Sequence, residues 1–125
     1  MGIDIVEISR LARIVSRYGD RFVDKVYTPA EAVFCGGAGP AVAAARYAGR
    51  WAAKEAFYKA LPTGVQRLAS WRSVQTLPGA SGRPSIEVCD ARLRDALTGL
   101  GVTRIHLSIS HERTHCVAVV ALESL

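Results

Sequence analysis

The sequence predicts an α+β fold, with helices packed on one antiparallel β-sheet in a single domain that spans residues 1–125. The chain has 125 residues, of which half are hydrophobic, which suffices for one compact core but not for two. Most of the first half has the periodicity and the start and stop signals of helices. Much of the second half alternates between apolar and polar residues, as strands do.

The first half begins with a strand and continues with short helices. The segment GIDIVEI at residues 2–8 alternates loosely between apolar and acidic residues and is predicted to be a strand. Ser9 is predicted to cap a helix that runs from about Arg10 to Tyr18 and ends at Gly19. A second short helix is predicted from Asp20 to Val26.

A longer helix occupies the middle of the chain. Before it, Thr28-Pro29-Ala30-Glu31 predicts the start of a third short helix, because threonine can cap, proline fits the first turn and glutamate can reach back. GGAGP at residues 36–40 then breaks the chain. The long helix is predicted from about Ala41 to Leu61, and Pro62 stops it.

Two stripes of this helix carry chemistry. At about 100° per residue, one face holds Ala44, Ala48, Trp51, Ala52, Glu55 and Lys59. A second stripe of cations, roughly a quarter turn away, holds Arg46, Arg50 and Lys54. Glu55 followed by Lys59 is also the spacing of a solvent-exposed helix pair, which contributes only about 0.2–0.5 kcal/mol, and spacing alone favours that interpretation. The aromatic residues Trp51 and Tyr58 on the same side favour a covered site instead.

Beyond Pro62 the pattern changes to strands. Residues 71–77 and 84–89 are predicted to be two strands joined through Gly79 and Gly82, with a short helix over 91–100. IHLSIS then alternates cleanly, with Ile105, Leu107 and Ile109 on one face. HERTH is predicted to turn, and CVAVVAL at 116–122 is the most apolar strand.

Composition argues against several classes of protein. No apolar run approaches the ~20 residues of a membrane span, and the segment after Met1 lacks the pattern of a signal peptide, so we expect a cytoplasmic protein without a membrane partner. Cys35, Cys89 and Cys116 form no C-x-x-C, which argues against a zinc ribbon or a disulfide framework. The net charge of +5 indicates an anionic partner: nucleic acid, a phosphorylated small molecule or an acidic protein.

Three separated motifs resemble the bacterial holo-[acyl-carrier-protein] synthases, which are phosphopantetheinyl transferases. They are GIDIVEISR at 2–10, RWAAKEAFYKALPTG at 50–64 and IHLSISHE at 105–112, in the order and spacing of the family. The resemblance covers nearly the whole chain. It implies transfer of the phosphopantetheine arm of coenzyme A to a serine hydroxyl of apo acyl carrier protein in fatty acid biosynthesis, with release of adenosine 3′,5′-bisphosphate.

The resemblance also implies a magnesium site. The ligands of Mg²⁺ in the family match Asp4 and Glu55, and Mg²⁺ commonly takes one or two carboxylates together with phosphate and water. Aspartate is disfavoured in strands, so an acid between Ile3 and Ile5 is more easily explained by a metal. Asp4, Glu55 and Lys59 are the expected catalytic residues. The base that accepts the serine proton is left open between Glu55, Asp4 and a water on the metal.

Further positions match the contacts of the family with coenzyme A. These are Arg50, Lys54, Lys59, Thr63, Gly64 and His111. Lys59 is expected at the phosphate or the departing oxygen. His111 is expected to act across a subunit interface, and its alternative is a turn histidine without a role. Pro62 stands where the family usually has glycine, which predicts a stiffer loop before Thr63.

The resemblance implies two kinds of protein partner. One is the chain itself, as a homotrimer with active sites between subunits, for which strand 116–122 and the alanine face of the long helix are the expected contacts. The other is acyl carrier protein, a strongly acidic protein whose docking residues match Arg10 and Arg21. Complementary charge would steer that encounter and weaken with salt.

Two other functions fit the sequence less well. A small basic RNA-binding α+β module would need exposed aromatic residues among its cations, whereas Trp51 and Tyr58 flank an acid. A phosphoesterase with paired H-x-S/T elements is suggested by His106-Leu107-Ser108, but only one such element is present. We therefore expect no nucleic-acid partner.

Overall fold

The computed structural model describes residues 1–124 of the chain. The helices and strands are, in chain order, β1 (Gly2–Glu7), α1 (Ile8–Tyr18), α2 (Asp20–Val26), α3 (Pro29–Gly36), α4 (Pro40–Ala60), α5 (Thr63–Gln66), a 3₁₀ turn (Trp71–Ser73), β2 (Val74–Pro78), β3 (Pro84–Val88), α6 (Ala91–Gly99), β4 (Val102–His111) and β5 (His115–Ser124). Within this part of the chain, no helix is both long and apolar enough to span a bilayer.

The strands pair antiparallel in two sheets. β5 lies between β1 and β4 in a three-stranded sheet, and β2 pairs with β3 in a hairpin. The α+β class with helices on antiparallel strands is confirmed, although the strands divide between two sheets where the sequence predicted one. The hairpin is closed by residues 79–83, with Gly82 at a φ of 84° that favours glycine. α6 then separates β3 from β4 along the chain.

Helix α4 packs across the inner face of the three-stranded sheet through very small residues. Ala48, Ala52, Ala53 and Ala56 are fully buried there. A Cβ atom on Gly2 of β1 would lie 1.9 Å from the carbonyl oxygen of Ala56, so only glycine permits this approach. The prediction that the alanine face forms subunit contacts is therefore wrong, because the chain's own strands already cover it.

The helix ends follow the predicted signals with one exception. The capping box of α3 is confirmed, since Glu31 Oε1 accepts from the Thr28 backbone N–H at 3.0 Å and Thr28 Oγ1 accepts from Glu31 N–H at 3.3 Å. Ser9 does not cap α1 within the described residues: the helix already begins at Ile8, and the Ser9 hydroxyl donates to the Glu7 carboxylate. The short helix α5 was not predicted.

Candidate active site

β1 and the C-terminal part of α4 bring Asp4 and Lys59 into direct contact. Lys59 Nζ donates to Asp4 Oδ1 at 3.0 Å and to the Ile3 carbonyl at 3.1 Å. The lysine side chain is 53% exposed and the aspartate 14%. The close approach of β1 to α4 at Gly2 creates this contact, since it places the strand beside the last turns of the helix.

Glu55 lies one turn before Lys59 on α4, and the charges of Asp4 and Lys59 both affect its pKa. Its pKa is raised, first by burial and then by the negative charge of Asp4, while the positive charges of Lys59 and Arg10 oppose the rise. The two carboxylates are thus close enough to repel one another. In the part of the chain described, the ion pair of Lys59 is with Asp4 and not with Glu55, so the alternative of a Glu55–Lys59 surface pair is not what the structure shows.

A pocket of about 310 Å³ opens beside these charged groups. Its lining is Glu55, Tyr58, Lys59, Gln66 and Trp71. Gln66 Nε2 donates to the carbonyls of Tyr58 at 3.0 Å and Leu61 at 3.4 Å, so the side chain caps the C-terminal end of α4. Burial, with a smaller contribution from Glu55, raises the pKa of Tyr58 to about 12, which keeps its hydroxyl protonated at neutral pH.

The donor set at the pocket fits a hard divalent cation completed by its substrate. Among residues 1–124 no group of three or more His, Cys, Asp or Glu side chains is placed to hold a metal. Two neighbouring carboxylates, Asp4 and Glu55, suit Mg²⁺, which characteristically uses one or two carboxylates and takes its other ligands from phosphate and water. Burial is the main cause of the raised Glu55 pKa, and the repulsion from Asp4 that adds to it is what a bound cation would relieve.

Thr63 and Gly64 begin α5, immediately after Pro62, and both are exposed. Pro62 has a φ of −59°, which suits proline, and its carbonyl accepts from the N–H groups of Val65 and Gln66. Proline at this position therefore starts a helical turn that carries Gln66 into the pocket.

Arg50 and His111 lie elsewhere. Both line a second pocket of about 340 Å³, together with Arg46, Ile109 and several small residues. Arg50 is about 140° around α4 from Glu55, and the two pockets have no lining residue in common in the part of the chain described.

Arg50 is largely buried, with Nε donating to the Thr76 carbonyl at 3.2 Å and the guanidinium 4.5 Å from the centre of the Phe34 ring. The predicted coenzyme A residues thus fall on two sides of the chain.

Lys54 contradicts its predicted role. Its side chain is fully buried, and Nζ lies 2.8 Å from Glu31 Oε1, 2.7 Å from the Trp71 carbonyl and 2.5 Å from the Val74 carbonyl. All three ammonium protons therefore have partners within the chain, and a contact with a coenzyme A phosphate is excluded in this conformation. Helical spacing gives the side of α4 on which Lys54 lies, but it does not show that the start of β2 packs there and accepts from its ammonium group.

The predicted docking residues are both exposed, Arg10 in the first turns of α1 and Arg21 at the start of α2. The positive charge of Arg10 acts on Glu55 and opposes the rise of its pKa. Two residues of the pocket lining, Trp71 and Gln66, were missed from the sequence, and so was Glu31, the buried partner of Lys54. The capping box located Glu31 in a helix, but its second role leaves no local signal.

Known proteins resemble this chain over nearly its whole length. Residues 1–120 match the family model of the 4′-phosphopantetheinyl transferase superfamily. The holo-[acyl-carrier-protein] synthase of Koribacter versatilis is 43% identical over 122 residues, which cover 98% of this chain and 95% of that protein. Among solved structures, the holo-[acyl-carrier-protein] synthase of Helicobacter pylori in complex with coenzyme A matches with a TM-score of 0.80 and 29% identity over 98% of both chains.

A second solved structure, the holo-(acyl-carrier-protein) synthase of Bacillus anthracis in complex with coenzyme A (3′,5′-ADP), matches with a TM-score of 0.79 and 31% identity, over 99% of this chain and 95% of that one. The family match and the full-length relative at this identity lead to one conclusion. The chain belongs to the 4′-phosphopantetheinyl transferase superfamily.

Proposed function

We propose that the chain transfers the 4′-phosphopantetheine group of coenzyme A to a serine hydroxyl of apo acyl carrier protein, as the names of its relatives indicate for them. The observation that supports this most directly is the meeting of Asp4, Glu55 and Lys59 at the edge of one pocket. In the transfer, the serine hydroxyl gives its proton to a base, and its oxygen forms a bond to the phosphorus of the arm. The bond from that phosphorus to the bridging oxygen breaks, and adenosine 3′,5′-bisphosphate leaves.

The side chains around the pocket have complementary tasks in this reaction. Asp4 and Glu55 would hold Mg²⁺, which supplies positive charge at the pyrophosphate. Lys59 is half exposed and can exchange its contact with Asp4 for one with a phosphate oxygen or the departing oxygen. Tyr58 and Trp71 form part of the pocket wall.

The two-sided arrangement of the predicted residues supports a site shared between copies of the chain. Arg50 and His111 would contact the coenzyme A held at the first pocket of a neighbouring copy. The outer face of the three-stranded sheet offers a surface for such an assembly, since Ile3 is 60% and Ile5 is 67% exposed. They pair in register with Val119 and Val117 of β5, which are only half-buried. We infer a homotrimer, as the family resemblance implies.

Arg10 and Arg21 would meet the acidic surface of acyl carrier protein on α1 and α2. Their charges would speed the encounter at low salt and matter less as salt screens them. Because the charge of Arg10 acts on Glu55, docking there would place the carrier's serine near the charged groups. The cytoplasmic location and the role in fatty acid biosynthesis stay predictions from the sequence.

The direct test is an assay of the carrier's mass. The protein is mixed with coenzyme A, Mg²⁺ and an apo acyl carrier protein, and the carrier is weighed by mass spectrometry. We expect it to gain one phosphopantetheine group, and to gain none when Mg²⁺ is chelated. Glu55→Gln should lose turnover and stay inactive when Mg²⁺ is moderately increased, whereas Asp95→Asn, an exposed acid on α6, should behave as wild type. A folded wild-type protein that leaves the carrier unchanged would refute the proposal.

The shared site has a separate test. Glu55→Gln and His111→Ala alter different pockets, so each homogeneous variant should be weak or inactive. Mixing the two and allowing subunits to exchange should restore part of the activity, because some interfaces then combine two intact halves. Sedimentation of the wild type should show three copies. A monomer with full activity, or a mixture no better than its components, would contradict the shared site.

A further inference from the structure

A buried ion pair is hydrogen-bonded to the backbone of Trp71, a residue that lines the pocket. Glu31 of α3 and Lys54 of α4 are 2.8 Å apart, and both side chains are 0% exposed. Removing two charges from water costs about as much as their attraction returns, so a well-packed apolar pair would stabilise the fold equally well. Stability alone is therefore a poor explanation for this pair.

The hydrogen bonds of the pair connect four elements. From Lys54, Nζ reaches back to the carbonyls of Trp71 in the 3₁₀ turn and Val74 at the start of β2. From Glu31, Oε2 accepts from the Thr76 backbone N–H at 2.9 Å, and Oε1 also serves the N-cap of α3. The pair thus joins α3 and α4 to the segment that runs from the 3₁₀ turn into β2.

Trp71 is where this network meets the pocket. Its carbonyl is held by Lys54 at 2.7 Å, while its ring stacks on Trp51 with centroids 4.5 Å apart and lies 5.9 Å from the Tyr58 ring. The same ring lines the pocket with Glu55. Two consecutive residues of α4 therefore act on the pocket: Glu55 lines it, and Lys54 holds the backbone of Trp71, which forms another part of its wall.

We propose that Glu31 and Lys54 are positioning residues for the reaction, and that they act through Trp71 by fixing this wall of the pocket relative to Glu55. The inference rests on the proposed transferase function. It assigns Lys54 a role that requires burial, in place of the substrate contact that its spacing on the helix predicted.

The decisive variant removes both charges together. Glu31→Gln with Lys54→Met leaves no buried charge unpaired, so the chain should fold. It is made in a Trp51→Phe background, where Trp71 is the remaining tryptophan of the two in the sequence. We expect kcat for phosphopantetheine transfer to fall by about 10²-fold, the scale of a misplaced active-site group, with little change in KM for the carrier. Trp71 emission and its quenching by acrylamide should change in the absence of any substrate.

A destabilised control separates positioning from general loss of structure. Leu93→Ala in the same background opens the core at α6, at a residue that is not part of the pocket lining described above. At a temperature where both proteins are folded, it should keep kcat and Trp71 emission close to those of the Trp51→Phe parent. The proposal is overturned if the double variant keeps both parental values, or if Leu93→Ala loses as much kcat.

A further variant covers the case in which the double variant does not fold. Trp71→Leu removes the wall itself from a half-buried position, and it should lower kcat at least as much. Full activity of a folded Trp71→Leu protein would overturn the proposal. Failure of the Trp51→Phe parent and the wild type to transfer phosphopantetheine would instead contradict the proposed function, and the emission measurements would still report whether the pair positions Trp71.

Discussion

Lys54 and Lys59 lie little more than one turn apart on α4, and each contacts one carboxylate from another element at nearly the same distance, 2.8 Å to Glu31 and 3.0 Å to Asp4. Their surroundings are opposite. The Glu31–Lys54 pair is fully buried, whereas in the Asp4–Lys59 pair the lysine is 53% exposed. The two contacts are alike in length, but water can replace the partners of the exposed Asp4–Lys59 pair and cannot reach those of the buried Glu31–Lys54 pair.

The difference in burial suggests that the Glu31–Lys54 pair supports the structure, whereas the Asp4–Lys59 pair belongs to the site. Opening an exposed pair costs little because water solvates both charges, so Lys59 can exchange Asp4 for a phosphate. Opening the buried pair strands two charges in an apolar interior. Burial also lowers the pKa of Lys54, and the charge and hydrogen bond of Glu31 oppose that effect.

The largest expected effect comes from breaking the buried pair on one side only. Lys54→Met leaves Glu31 charged and unpaired, and the free energy of unfolding should fall by about 3–5 kcal/mol. Urea denaturation measures this. The Glu31→Gln/Lys54→Met double variant is the matched control and should lose much less. A single variant within about 1 kcal/mol of wild type would show that the interior solvates Glu31 better than its full burial suggests.

Breaking the exposed Asp4–Lys59 pair should have little effect on stability and a large effect on activity. Lys59→Met should change the free energy of unfolding by less than about 1 kcal/mol. Its transfer activity should nevertheless fall by about 10²–10³-fold, as expected when a preorganised charge at the reacting phosphate is lost. Steady-state kinetics and urea denaturation on one preparation give both numbers. A variant that is unstable but active would reverse the roles assigned to the two lysines.

A change in the backbone contact between β1 and α4 should have an intermediate effect. The added methyl group in Gly2→Ala would overlap the Ala56 carbonyl, so β1 must shift. Overpacking of this kind costs about 1–3 kcal/mol. Because Asp4 moves with the strand, kcat should fall more than stability alone explains. Gly64→Ala, whose Cβ would meet open space, is the control for stability. Equal stability of wild type and Gly2→Ala would mean that β1 adapts without cost.

The smallest expected effect is on the pH dependence of stability. Because the pKa of Glu55 is raised in the folded protein, the folded chain keeps a proton that the unfolded chain loses above the ordinary carboxyl pKa of 4.5. This residue therefore makes stability fall as the pH rises from that value through the raised one. In metal-free buffer, Glu55→Gln should melt higher than wild type at pH 7 and at nearly the same temperature at pH 4. Identical melting differences at both pH values would contradict the raised pKa.

Local signals predicted most of the fold. The capping box at Thr28, the glycine end of α1 and the alternation over 105–109 are properties of a few neighbouring residues, and all three recur in the structure. The prediction that Ser9 caps α1 was wrong because the Ser9 hydroxyl donates to the Glu7 carboxylate and the helix begins one residue earlier, at Ile8. The helix α5 is a single turn, too short for any periodicity to reveal.

The site was harder to predict than the fold. Asp4 and Glu55 were paired only through the family resemblance, since nothing local links a strand residue to a distant helix. Lys54 and Arg50 showed the limit of helical geometry: it gives the direction of a side chain and not what lies there. Both side chains donate to carbonyls of β2, and the position of that strand depends on tertiary packing.

The burial of Lys54 has a practical consequence for chemical footprinting. The chain has three lysines, of which Lys25 is exposed, Lys59 is half exposed at the pocket and Lys54 is inaccessible. An amine-directed reagent should therefore label Lys25 at all times and Lys59 only while the pocket is free. Labelling of Lys54 would require the chain to open. One peptide map would report ligand occupancy and unfolding together, with an internal reference in the same molecule.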